Sequence, residues 1–154
     1  MDKATFELAI ERFSDAPPEM VWRVWTERLE EWWASKPWTT RVIANDMRPN
    51  GRMDGRMALV LGGPDGAASE MEGVYTEVIP NKSIVFTNAF TAGWIPQAPF
   101  MVGFFAFSPE GKGTRYRAGA RHCDEAAHQR HEAMGFTQGW TIVADQLASL
   151  AERR

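Results

Sequence analysis

His122, Cys123, His128 and His131 fall within ten residues of one another, and imidazole and thiolate are the groups that hold zinc or act as base and nucleophile. His128 and His131 stand three apart on a stretch that reads as helix, a spacing at which two side chains can share one metal. The surroundings supply neither His-Glu-x-x-His nor a paired Cys-x-x-Cys, and the segment is otherwise hydrophilic. Three solvated histidines and no metal are therefore expected. Cys123 is the single cysteine; it carries no nucleophile signature and has no partner for an internal disulfide. No Gly-x-Ser-x-Gly elbow occurs, and Gly111-Lys112-Gly113-Thr114 lacks the upstream glycine of a phosphate loop. Glu72 and Glu77 would serve as general bases if buried beside a substrate, but their alternation with apolar neighbours reads as a solvated sheet face.

What the chain holds in surplus is seven Trp, nine Phe and eight Met, which points to a roomy or large interior. With 154 residues, 44% of them hydrophobic, one domain with a sizeable core is expected. A net charge of -3 offers no general attraction to nucleic acid or to an anionic membrane. The longest nearly apolar run, 100–107, is well short of the ~18 residues of a membrane span. The N-terminus shows no apolar signal segment, and a reducing cytoplasm is the expected location.

The strongest periodic signal lies at the C-terminal end. Phe136, Trp140, Val143, Leu147 and Leu150 stack on one face of a helix, and Ile142, Ala144 and Ala151 widen that face to roughly 200°. Such a helix must be gripped from more than one side. Asp124 suits an N-cap, and the pattern fails on the N-terminal side of Gly135, which predicts a bend there. Gly139, at the margin of the apolar arc, either lets a strand approach or leaves space for a ligand. Ahead of this helix, alternation and turn residues predict seven strands, at about 5–13, 41–47, 53–61, 69–79, 83–89, 101–107 and 114–122. Phe13 breaks phase at the end of the first. Pro17-Pro18 starts a helix, and a second short helix spans about 28–33. The turn at Arg48-Pro49-Asn50-Gly51 separates the second and third strands. Trp94, Ile95 and Phe100 form an apolar loop that reads equally as a cavity lid or as a homodimer contact.

The run Glu11-Arg12-Phe13-Ser14-Asp15-Ala16-Pro17-Pro18-Glu19-Met20-Val21-Trp22-Arg23-Val24-Trp25-Thr26 resembles the opening segment of homologues of the activator of the heat-shock-protein-90 ATPase. Further matches are Glu31-Trp32-Trp33, Asp46-Met47-Arg48-Pro49-Asn50-Gly51-Arg52, Gly73 to Pro80, Gly113-Thr114-Arg115 and Met134-Gly135-Phe136-Thr137-Gln138-Gly139-Trp140. That family belongs to the START-like (SRPBCC) superfamily, with polyketide cyclases and birch-pollen-allergen-like proteins. The resemblance implies one α+β domain over 1–154 with the helix-grip fold: an antiparallel sheet of six to seven strands curved around a long C-terminal helix, with two short helices after strand one. It implies a cavity between sheet and helix that binds a hydrophobic, aromatic or lipid-like small molecule without a cofactor. The lining is expected to come from some of Trp33, Trp38, Met57, Tyr75, Phe86, Phe104, Phe136 and Trp140, the alternative for any one of them being a side chain that simply fills the core. Two alternatives accompany it: an enzyme of the cyclase, hydrolase or isomerase kind using a pocket acid or base, and a chaperone-interaction module, the source of the family's association with stress response. Many members carry Trp-Gly-Pro after the second helix where this chain reads Trp33-Ala34-Ser35-Lys36-Pro37-Trp38, and Asn50 stands where glycine is usual; both changes bear on the ligand rather than on the fold.

Overall fold

Pro17 and Pro18 fix the first event of the fold. Proline fits the first turn of a helix but cannot continue a strand ladder, so β1 (Glu7–Ser14) ends and α1 (Pro18–Glu27) begins within four residues, followed by α2 (Leu29–Trp32). The computed structural model describes residues 6–34, 37–48, 55–63, 66, 68–91, 95–96 and 101–153. The turn residues 49–51 and the side chains of Trp94 and Phe100 lie outside them. The remaining elements are β2 (Thr39–Asn45), β3 (Arg56–Gly62), β4 (Ala68–Ile79), β5 (Ser83–Thr87), a short ribbon of β6 (Phe90–Thr91) and β7 (Ile95–Pro96), β8 (Val102–Glu110), β9 (Gly113–Arg121), α3 (Glu125–Ala133) and α4 (Phe136–Glu152).

Seven strands form one antiparallel sheet in the order β1-β9-β8-β5-β4-β3-β2. The inner face carries Ile10, Met57, Leu59, Tyr75, Ile84, Phe86, Phe105, Phe107, Tyr116 and Ala118, all buried in one cluster with the apolar sides of α1, α2 and α4. No helix among the described residues is long and apolar enough to cross a membrane.

Three details set the phase of this face. First, Phe13 keeps its register opposite Arg115 on the outer face, and the Arg115 guanidinium lies 5.6 Å from its ring. The inner positions at the end of β1 are Arg12 and Ser14, which reach Asp145 at 2.7 Å and Glu152 at 2.9 Å on α4. The apparent break in alternation is thus two polar residues answering polar residues of the helix. Second, β4 has a bulge between Tyr75 and Glu77. A bulge inserts one extra residue and shifts the alternation, so Tyr75 and Val78 are both buried while Ile79 is exposed. Third, Gly135 has φ +88°, a left-handed conformation open to glycine at no steric cost. It separates α3 from α4 at the expected bend. Asp124 caps α3, accepting from the Ala127 N–H at 2.8 Å.

Candidate ligand cavity

A cavity of about 350 Å³ lies between the inner face of the sheet and the first turns of α4. Trp32, Trp33 and Ala34 border it from α2 and the residues that follow, Leu61 and Met71 from β3 and β4, Phe105, Tyr116 and Ala118 from β8 and β9. Gly139, Trp140 and Val143 of α4 close it above, and His131 of α3 closes one end. Trp38, 39% exposed, stands where this lining meets solvent.

The walls are built of rings. Trp140 stacks parallel on Phe105 at 5.9 Å between centroids and, inclined by 29°, on Phe136 at 4.4 Å. Trp33 meets Phe105 at 6.0 Å, and Trp25 meets Phe105 at 5.0 Å. Interlocked rings move little, because each is held by edge and face contacts of its neighbours. Gln146 on α4 fixes the opposite wall: its amide donates to the backbone carbonyls of Trp32 at 3.0 Å and Ala34 at 2.9 Å, tying the end of α2 to the helix. A Cβ built at Gly139 would meet nothing within 4 Å beyond its own helix. Of the two readings open for this glycine, close approach of a strand is excluded and space remains.

Of the eight residues named from sequence, Trp33, Trp38 and Trp140 border the cavity. Met57, Tyr75 and Phe86 also face inward but are fully covered by the core; the Tyr75 hydroxyl donates to Asn45, and a Cβ at Gly103 would come within 2.5 Å of the Phe86 ring. Phe136 is buried behind the cavity, against His131 and Trp140. Phe104 points to the other side of the sheet, where Arg117 and Arg121 lie over its ring at 5.0 and 4.7 Å; its neighbour Phe105 takes the inner position. Alternation alone leaves the two faces of such a strand equivalent.

The histidines correct the expectation of solvated side chains. His122 and His131 are buried, with His122 Nε2 2.8 Å from His131 Nδ1. His122 Nδ1 lies 2.9 Å from the Phe6 carbonyl oxygen. The expectation rested on the hydrophilic make-up of the segment around them, whereas α3, set off from α4 by the left-handed Gly135, turns His131 inward against Phe136 and Trp140. Burial, then repulsion from His122 and His128, lowers the His131 pKa from 6.5 to about 4. At neutral pH it is an uncharged imidazole. Burial also pushes the Tyr116 hydroxyl far up, so it too stays neutral. Cys123 is exposed. Glu72 pairs with Arg56 and Glu77 accepts from Ser83, so neither carboxylate belongs to the lining. Among the described residues, no three His, Cys, Asp or Glu side chains converge on a point that would hold a metal.

A seven-stranded antiparallel sheet closed by a long C-terminal helix, with an apolar cavity between them, is the architecture of the START-like, SRPBCC class. The family described as "Activator of Hsp90 ATPase homolog 1-like protein" matches residues 15–152, and the chain belongs to that family. Members typically bind hydrophobic ligands. Among solved structures, a Nitrosomonas europaea protein is similar with a TM-score of 0.86 and 32% identity, covering 99% of this chain and 97% of that one. A Mycobacterium smegmatis protein superposes with a TM-score of 0.80 at 23% identity, covering 99% and 94%. The AHSA1 protein of Silicibacter pomeroyi gives 0.68 at 22% identity, covering 93% and 95%. No curated protein gives a significant sequence match.

Proposed function

We propose that this protein binds an apolar small molecule, aromatic or lipid-like, in the cavity beneath α4. The observation that carries the reading is the open space at Gly139, bordered by Trp33, Trp140 and Phe105. A volume of about 350 Å³ falls within the range of small-molecule sites, and an apolar wall with few polar groups is the usual make-up of such sites. Proton-transfer catalysis is the weaker reading. A general base works best with a pKa near the working pH, and the lining histidine lies near 4. The four lining tryptophans, Trp32, Trp33, Trp38 and Trp140, provide the signal for a test. Titration with 1-naphthol, 1-methoxynaphthalene and 1-decanol, followed by tryptophan fluorescence and calorimetry, is expected to give saturable one-to-one binding for at least one of them. No saturable response to any would sink the proposal.

A further inference from the structure

We infer that ligands enter and leave the cavity past Trp38, whose indole is a gate seated on Gly63. The inference rests on the cavity being a ligand site, as proposed above, and concerns the route by which that site is reached.

The other walls are held in place. Across the seam between α4 and the end of α2, Gln146 makes two hydrogen bonds to backbone carbonyls, and parting the helices there would lose both. At the α3 end His131 is buried, 2.8 Å from His122 and edge-on to the rings of Phe136 and Trp140. On the sheet side, β3 pairs with β4 and β8 with β9 without a break in register, so no strand can part without losing ladder hydrogen bonds.

Trp38 differs from these walls in three respects. Among the described residues of the lining it is the exposed one, at 39%, the others being buried or half-buried. Its side chain enters neither a ring pair nor a hydrogen bond among the described residues, whereas Trp33 touches the rings of Trp25, Trp32, Phe86 and Phe105. Its benzo edge rests on bare backbone: a Cβ at Gly63 would stand 2.8 Å from Trp38 Cη2, 3.0 Å from Cζ3 and 3.1 Å from Cζ2. Glycine at 63 is therefore what gives the ring its seat. The contact that holds it there is dispersion, weak for each atom pair, and exposed side chains change rotamer on the picosecond to nanosecond scale. Rotation of one side chain opens the mouth with no movement of the backbone.

Stopped-flow mixing tests this, with whichever of 1-naphthol, 1-methoxynaphthalene and 1-decanol binds most tightly, followed in the fluorescence of the tryptophans common to all variants. Trp38→Ala is expected to raise the association rate constant about tenfold, because a route that is closed most of the time slows association. A wall that only touches the bound ligand would change dissociation and leave association as it was. Gly63→Ala displaces the ring from its seat and is expected to shift the association rate constant at least about threefold in the wild-type background. In the Trp38→Ala background, where no ring remains to displace, the same change is expected to move it less than about 1.5-fold. Trp38 stands outside the apolar core, so Trp38→Ala keeps the fold, and the single variant Gly63→Ala gives a second reading. Unchanged association in either single variant, or an equal effect of Gly63→Ala in both backgrounds, would overturn the inference while leaving the cavity as a binding site. Absence of binding by all three probes would overturn both.

Discussion

The two halves of α4 have the same apolar period and opposite surroundings. In the C-terminal half, Ala144, Leu147, Ala148 and Ala151 are each no more than 3% exposed, packed against neighbouring elements. Polar ties flank that half: Asp145 to Arg12 at 2.7 Å and Glu152 to Ser14 at 2.9 Å. In the N-terminal half, Gly139, Trp140 and Val143 face a cavity of about 350 Å³. Short side chains occur in both halves, with different consequences. Where the sheet comes close, alanine lets it come closer; where Trp33 and Trp140 hold the walls apart, glycine leaves a hole. Amphipathic periodicity therefore reports which side of a helix is covered, and says nothing about whether the covered volume is filled.

The largest expected effect separates these halves directly. Leu147→Ala removes a fully buried side chain and is expected to cost about 2–5 kcal/mol, the transfer term plus a new cavity. Val143→Ala trims a wall that already faces space and is expected to cost less than about 1 kcal/mol, because fewer partner atoms are lost. Denaturant unfolding of the two variants checks the contrast, and equal losses would mean that the N-terminal half is packed as tightly as the other.

A smaller effect sharpens the comparison at the junction between α3 and α4. The unfolded chain protonates His131 near pH 6.5, whereas the folded protein does so only near pH 4. Below pH 6.5 the unfolded state binds the extra proton, so stability is full above that pH and falls as the pH drops toward 4. Among the described residues, the titratable groups that act on His131 include His122 at the end of β9 and His128 on α3, and α4 presents to it the uncharged rings of Phe136 and Trp140. The loss is expected to reach on the order of 2 kcal/mol, allowing for partial solvent access. Urea unfolding at pH 7.5 and 4.5 should show it in the wild type and a shallower slope in His131→Leu. Parallel slopes would contradict this account of the histidine.

The fold was legible because its signals are local and repeated. Proline pairs, turn glycines and the four-three spacing of α4 each dictate an element without reference to the rest. The bend at Gly135 was legible for the same reason. The lining was legible only in part. Trp33, Trp38 and Trp140 stand in segments whose place in the fold follows from the helix-grip plan, whereas choosing Phe105 over Phe104 required the register between β8 and β9. That register was within reach: the hairpin brings Phe104 opposite Gly119, on the side of Arg117 and Arg121, which marks the outer face. The bulge in β4 was not within reach, since one inserted residue changes no composition and only the paired strand reveals it. The burial of His122 and His131 depends on a left-handed residue between two helices, a long-range consequence that spacing along the chain does not encode.

The central claim is that a ligand sits in the space beneath Gly139. Gly139→Leu tests it most directly, read beside Ala151→Leu in the closed half of the same helix. The account predicts that Ala151→Leu loses about 1–3 kcal/mol through overpacking. Gly139→Leu should lose nothing and gain up to about 1 kcal/mol from replacing a helical glycine, while its affinity for 1-naphthol falls more than tenfold. A destabilised Gly139→Leu, or one that binds 1-naphthol as tightly as the wild type, would contradict it.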